Sequence, residues 1–571
     1  MNELEKLGKI ITTDVLIIGG GLAGLITALK IKKLNSDIDV MCVEKGYHGY
    51  NGESTKAGHG FFYMSPEDDI DAFCKEQVEE NLYGQYLNDQ EYMYETVAEA
   101  YDYVKELEEL GAVFAHDPDG SLHYHREFAT KKCSAVNVDL DFVVPFGEQA
   151  VANGVRIAER VYFTDILTKD GKAVGAVGFH MDTTEFYIFK AKAVVLASCD
   201  FNPSVRSMFY SPATALIAAY EAGAQFRNVE HATYFDLCYR NTGNIMYGVH
   251  WVVCNKKGEN IFQKYHCTDY EDIEIKFMRA LLKETEEGNY PFYVDFSQLP
   301  DTSETEGEGF NMGMVMPTRI QMDQFIHQEE EGNHLYNPEI SLITYILSRC
   351  LRTDGDAKTA VPNLWAVGMM TMCGTAHGSW VHGDGLGQAA RTALRAAKSI
   401  VNEMDDKNFC EIDKEQVQKF KERIYAPYHY QGKELPYKVI HYLYDMICMP
   451  KYSVWKTEET MQEMLECLKD MRNQLETTIY VPEGDGHHLS KAVEARTMID
   501  MLEIMYMVYN TRKESRGYHM RGDYTERDDK NWLKWIVVNK GDDGRPHLDF
   551  ERIPFERYKW KPACWEKKDR D

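Results

Sequence analysis

The chain has 571 residues, 44% of them apolar and 27% charged, a balance that belongs to folded globular proteins rather than disordered ones. A chain this long exceeds one simple core, so about two to four domains are expected. The formal net charge of -28 sets the surface against phosphate backbones and anionic lipid, which disfavours nucleic acid and membrane surfaces as partners.

No run approaches the roughly 18–20 apolar residues that cross a bilayer. The opening segment MNELEKLGKI has no apolar signal core and no twin arginine, so a cytoplasmic location is expected. The 13 cysteines are scattered without a CxxC pair. No zinc site, iron–sulfur cluster or disulfide framework is expected on this chain, and no metal ligands are assigned.

In chain order, TDVLII (residues 13–18) is an apolar, β-rich run that ends in the turn GGGLAG, Gly19 to Gly24. LAGLITALKIKKL, from Leu22, has helical spacing and ends in lysines, which suit the negative end of a helix dipole. DIDVMCVEK predicts a second strand closing at Glu44 and Lys45. Together these make a βαβ unit in which each glycine has a task. Gly19 permits the tight turn, Gly21 lets backbone amides approach a pyrophosphate, and Gly24 lets the helix pack closely on the strand. The helix start adds partial positive charge. Glu44, 20 residues past Gly24, is placed to accept hydrogen bonds from a ribose. A dinucleotide site is predicted; these residues alone do not separate FAD from NAD.

Residues 66–111 read as mostly helical, and KAVGAVGF, TEFYIF and AVVLAS read as strands between about 172 and 198. The stretch 235–350 breaks this rhythm and suggests an inserted domain. Residues 363–400 return to strand, glycine-rich turn and helix, and helical periodicity dominates 413–513. Beyond 540, Pro546, Pro554 and Pro562 argue against long helices. His116, His123 and His125 have metal-like spacing, but no nearby cysteine or paired acid strengthens it.

GGGLAG followed by VEK, then ESTKAGHG, NLWAVG and HGDGLGQAARTALRAA, resembles the succinate dehydrogenase, fumarate reductase and adenylylsulfate reductase flavoprotein family. RKESRGYHMRGDYTERDDKNWLKW, from Arg512, looks like that family's signature at the end of its helical domain. RIAERVYFTDILTKDGKAVGAVGF, with EFYIFKAKAVVLAS after it, is most similar to the adenylylsulfate reductase α subunit. The resemblance implies an α/β fold with a Rossmann-like FAD-binding domain in two segments, 1–234 and 351–410. It also implies an inserted α+β capping domain at 235–350, a C-terminal helical domain at 411–539 and a tail at 540–571. FAD is the implied cofactor, held by Gly19, Gly21, Ala23, Gly24, Glu44, Lys45, Ser54, Thr55, Gly58, Gly60, Ala197, Ser198, Gly368, Asp384 and Leu386. Ser54 falls where succinate dehydrogenases carry the histidine bonded to FAD, when STKAGHG is matched to their HTVAAQG. Serine cannot form that linkage, so non-covalent FAD is expected.

The resemblance also locates the family's substrate positions, and here the chain departs from them. TYILSRCLRTD, from Thr344, matches the segment of the dicarboxylate-binding histidine. Tyr345 then replaces the histidine, and Arg349 with Cys350 replaces a glycine pair. The clamping arginine falls at Val381 or His382, and an ungapped match puts Glu274 at the proton-shuttle arginine, with Arg279 nearby. A charge-assisted hydrogen bond to a carboxylate contributes about 1.5–3 kcal/mol, and several disappear together, which turns the reading away from simple dicarboxylates. Ser65 replaces the asparagine of adenylylsulfate reductases. The FAD signatures drift at ASCD (Ala197 to Asp200) and at Met369, for which Asp384 is the candidate substitute.

The catalytic candidates are Tyr345 as proton donor, Arg349 for an anionic group, and His377 and His382, imidazoles that titrate near neutral pH. Cys373 reads as an inert thiol. The expected activity is hydride-plus-proton reduction or oxidation of a small organic substrate at a C=C or similarly oxidised group. Electrons are expected from a ferredoxin-like iron–sulfur subunit or a nicotinamide. Two rival readings stand: an adenylylsulfate reductase α-like subunit with an iron–sulfur partner, and a non-catalytic flavoprotein scaffold or electron-transfer subunit.

Overall fold

The first apolar run forms a strand from Lys9 to Ile18, longer than the sequence pattern marks, and Val15 to Ile18 are buried on both faces. A near-continuous apolar run is what a parallel strand covered on both sides requires. Val40–Val43 pairs with it in parallel on one side and Phe186–Leu196 on the other. Arg156–Ala158 extends the sheet beyond Val40–Val43. The computed structural model describes residues 3–55, 60–79, 85–126, 132–139, 141–203, 210–231, 233–239, 250–267, 276–295, 339–346, 350–371 and 383–568.

The strand Phe186–Leu196 has a different neighbour at each end. Its first half pairs antiparallel with Lys172–His180, which continues to Val161–Lys169. Its last residues, Val194 to Leu196, pair in parallel with Leu364–Ala366. A seven-stranded sheet is therefore completed by a strand far along the chain, so this unit is built from two segments. The helices Leu22–Leu34 and Asp384–Glu403 pack together over one sheet face. Buried Ala389, Ala390, Ala393, Ala396 and Ala397 keep the second helix narrow enough for that approach.

The capping unit is a four-stranded antiparallel sheet in the order Thr233–Tyr239, Glu339–Ile346, Phe292–Val294, Val253–Cys254. Its core holds Phe277, Met278, Leu281, Phe292 and Val294. The C-terminal unit follows the predicted helical periodicity, as Lys414–Tyr425, Pro436–Ile447, Glu458–Thr478 and Gly486–Thr511. The last of these is buried over most of its length and forms the centre of the bundle. Among the described residues, no helix is long and apolar enough to cross a membrane.

The region around residue 540 holds more structure than its polar composition suggests. Lys534–Lys540 and Pro546–Arg552 form an antiparallel hairpin that also pairs with Phe226–Arg227. Pro546 opens its strand, where a missing N–H costs little. The signature segment beside it is a dry ionic network. Arg512 donates to Glu230 at 2.7 Å and to Glu514 at 2.8 Å, and Arg516 donates to both Glu514 oxygens and to Asp529. Arg512, Glu514 and Glu230 are fully buried, so this network ties the end of the long helix to the last turn before the capping sheet.

Candidate functional site

The glycines of the turn divide into two kinds. A Cβ on Gly19 would stand 2.3 Å from the Ala197 carbonyl oxygen, and one on Gly24 would stand 2.0 Å from the Gly19 carbonyl oxygen. Those two positions are closed by packing. A Cβ on Gly21 would meet nothing nearer than the Asn51 carbonyl oxygen at 3.6 Å. Opposite it, a Cβ on Gly52 would reach only the Gly21 Cα, at 4.0 Å. Neither position is closed by packing, so these two glycines lie close together at the start of the helix Leu22–Leu34 without a steric demand from neighbouring atoms.

That helix is capped by Gly21 without a side-chain hydrogen bond, and its first turn carries no acid. Its first amides have no intrahelical partner and lie at the positive end of the dipole, a ready seat for a pyrophosphate. The residues present fit a dinucleotide.

Glu44 is buried, and its carboxylate holds the turn together. One oxygen accepts from the Gly20 amide at 2.7 Å; the other accepts from the Gly46 amide at 2.7 Å and Asn51 Nδ2 at 2.9 Å. A carboxylate has about four acceptor positions, so little capacity remains for a ribose. Lys45 is half-buried beside it. Across the turn, the Ala197 amide and the Ser198 hydroxyl both donate to the Ile18 carbonyl, at 2.8 and 3.0 Å.

Ser54 and Thr55 lie in the short helical turn Glu53–Thr55, where the Thr55 hydroxyl donates to the Gly52 carbonyl at 2.8 Å. Gly60 opens a strand whose Phe62 amide donates to the Gly383 carbonyl at 3.0 Å. Gly368, at φ +77°, would bring a Cβ within 3.2 Å of Ala23 Cβ, so the second segment closes directly on the turn helix. Thr392 and Gln388 bond its amide and carbonyl and hold it there. Met369 is half-buried in the same turn.

Asp384, buried, opens the helix Asp384–Glu403 one residue after Gly383, with Leu386 buried in its first turn. Arg391 Nη2 lies 3.5 Å from its carboxylate, and the guanidinium sits against the rings of Phe62 and Tyr103. Burial holds the Tyr103 phenol well above its ordinary value, and its hydroxyl donates to the Phe62 carbonyl.

One grouping lies beyond what the residues predict. Glu53, Cys199 and Asp200 bring their side chains within 4.8 Å of one another beside the turn. Cys199 adopts a left-handed φ of +69° and bonds Asp200 at 3.8 Å, and burial with the two carboxylates keeps its thiol protonated. The only signal in the sequence is the ASCD departure; Glu53 is 146 residues away.

The substrate side is described only in part. Tyr345 lies in the strand Glu339–Ile346 opposite Tyr234, with its side chain outside the described residues. Arg349, His377, His382, Cys373, Val381, Glu274 and Gly58 lie outside the described residues as well. Arg279 is exposed on the capping helix Met278–Glu286, and Ser65 is buried beside Asp68. His116 stands 3.3 Å from Glu108, and His123 stands 2.9 Å from Asp117.

A family model described as an FAD binding domain matches residues 14–383, and one described as the fumarate reductase flavoprotein C-terminus matches residues 445–566. A fumarate reductase (CoM/CoB) protein of Methanothermobacter marburgensis is 23% identical, over 92% of this chain and 97% of that protein. The fold superposes on the E. coli quinol fumarate reductase protein FrdA with a TM-score of 0.82 at 19% identity, covering 97% of this chain and 98% of the other. It superposes on adenylylsulfate reductase from Archaeoglobus fulgidus with a TM-score of 0.72 at 19% identity, covering 95% and 96%. The glycine cradle, the two-segment sheet and the family match agree: the chain belongs to the FAD-binding family of the fumarate reductase and succinate dehydrogenase flavoproteins, and is an FAD-dependent oxidoreductase.

Proposed function

We propose that the chain exchanges a hydride and a proton with a small organic molecule at a C=C or similarly oxidised group, and that simple dicarboxylates are not its substrates. The observation that carries the cofactor half is the uncapped helix start at Gly21, a glycine that the packing around it does not require. FAD held there supplies two-electron redox chemistry. The helix amides hold its pyrophosphate, Glu44 keeps the turn in shape, and Gly368 with Asp384 closes the second segment on it.

The substrate half rests on the sequence. Tyr345, standing for a histidine, offers a phenol proton, and Arg349 an anion contact; His377 and His382 flank the same glycine-rich stretch. The Methanothermobacter relative is named a fumarate reductase, yet this chain has lost the residues that clamp that substrate. Fumarate turnover by the FAD-loaded protein is therefore expected to be sluggish, at least about a hundredfold below its best substrate, a deficit of roughly 2.7 kcal/mol. Flavin reoxidation against a panel of unsaturated acids, enones and sulfur anhydrides measures it. Efficient fumarate reduction overturns the reading.

FAD is held without a covalent bond, because Ser54 stands at the linkage position. Acid precipitation is expected to release the yellow colour into the supernatant; colour that stays with the pellet contradicts this. Electrons come from an iron–sulfur subunit or a nicotinamide, since the cysteines are scattered without cluster spacing and the relatives are named as subunits. The buried free thiols Cys42, Cys74 and Cys350 suit a reducing, cytoplasmic compartment. The segment 156–198 favours a second reading, an adenylylsulfate reductase α-like subunit. Reoxidation by adenylylsulfate in the same screen would select it.

A further inference from the structure

A dinucleotide fingerprint asks nothing of the second position in its turn, yet that residue here is Gly20. The fold supplies a reason. A Cβ on Gly20 would stand 3.0 Å from the His48 Cβ and 3.1 Å from the Glu44 Cβ. At the ring end, a Cβ on Gly147, in the helix Val143–Ala152, would stand 3.1 Å from His48 Cδ2. His48 thus occupies the room that a side chain at either glycine would need.

Two carboxylates hold the loop that carries His48. The strands Val40–Val43 and Arg156–Ala158 run parallel with Val43 opposite Ala158, so Glu44 and Glu159 leave the sheet side by side. Glu44 takes both ends of the loop, through the Gly46 amide and Asn51 Nδ2, together with the Gly20 amide of the turn. One Glu159 oxygen takes the middle, accepting from the His48 amide at 3.2 Å and from His48 Nδ1 at 2.5 Å. Gly49, at φ +75°, then donates its amide to the Gly20 carbonyl at 2.9 Å. Residues 46–51 therefore hold Gly20 at its amide, through Glu44, and directly at its carbonyl.

We propose, on the reading that FAD sits at this turn, that Glu159 and His48 are positioning residues for the cofactor. Glu159 fixes the backbone and ring of His48, and His48 keeps residues 46–51 seated on Gly20, so the helix-start amides are in place before the dinucleotide arrives. The role asks neither side chain to touch FAD. Without the pair, the loop is ordered only as FAD binds, and that cost is subtracted from the affinity. Both side chains are part-exposed, so the pair itself adds little to the stability of the fold.

Titration of the FAD-free full chain with FAD, read by visible absorption beside unfolding in urea, tests this. Glu159→Ala is expected to weaken FAD binding about tenfold while the apo-protein keeps the parent midpoint. Glu159→Gln retains an oxygen that accepts both hydrogen bonds, and is expected to stay within about threefold of the parent. Gly20→Ala presses on His48 from the turn, so combining it with Glu159→Ala should lose less than the product of the two single losses. Parental affinity in Glu159→Ala, an equal loss in Glu159→Gln, or losses that multiply overturns the proposal. A fall in the apo midpoint that matches the loss of affinity overturns it too. His48→Ala carries the same test should Glu159→Ala not fold. Gly21→Leu separates the two readings: parental affinity there places FAD elsewhere, whereas a loss there beside parental affinity in Glu159→Ala overturns the positioning role alone.

Discussion

Replacing Glu514 by alanine is expected to destabilise the chain by about 3–5 kcal/mol, read as a lowered denaturation midpoint in urea. Glu514 is fully buried and accepts four hydrogen bonds: from Arg512 Nη1 at 2.8 Å, from Arg516 Nε and Nη2 at 2.7 and 2.8 Å, and from the Asp528 amide at 2.8 Å. Alanine leaves two buried guanidinium groups with one carboxylate each, Glu230 and Asp529. The cost is the uncompensated charge, since a buried pair held intact contributes little net stability. Glu514→Gln keeps an acceptor and should lose less, about 1.5–3 kcal/mol. A Glu514→Ala midpoint within about 0.5 kcal/mol of the parent would show that water or a shifted chain satisfies the arginines.

Gly21→Leu is expected to lower FAD affinity about a hundredfold, close to 2.7 kcal/mol, while the apo-protein unfolds at the parent midpoint. The backbone there is extended, φ -83° and ψ -171°, which leucine adopts freely, and the added Cβ meets no atom within 3.5 Å. The longer side chain instead reaches over the helix start where the pyrophosphate is proposed to sit. Gly24→Val behaves differently, because its Cβ would collide with the Gly19 carbonyl and with Ile17, so folding and FAD binding fail together. An FAD titration by visible absorption beside apo-protein unfolding separates the two. Parental FAD affinity in Gly21→Leu would remove the turn from the cofactor site.

The contrast between these glycines shows how far the residues can be read. Turn, helix and Glu44 are recognisable because a βαβ unit is local: hydrophobic period, glycine spacing and the terminal acid fall within about 40 residues. The role of Glu44 is harder. Its position is evident, but only the fold shows its carboxylate engaged by Gly20, Gly46 and Asn51. The first strand reads short in the sequence because Lys9 to Thr12 do not continue the buried apolar run, and their pairing with Tyr187 to Lys190 is what makes them strand. The hairpin at 534–552 escapes a pattern reading for a similar reason: half of it faces solvent, and its anchor is Phe226–Arg227.

By itself the sequence determined the cofactor scaffold, because the family's motifs recur in order and each glycine in the turn answers a short-range steric demand. It also holds the positions, Tyr345 and Val381 or His382, on which the proposed departure from dicarboxylates rests. The tertiary structure alone decided which distant groups share one space: Leu364–Ala366 closing the sheet, Glu53 meeting Cys199 and Asp200, and His48 held by Glu159. Each depends on burial and charge acting between residues far apart along the chain, and neither periodicity nor spacing records what a side chain will meet once water is excluded.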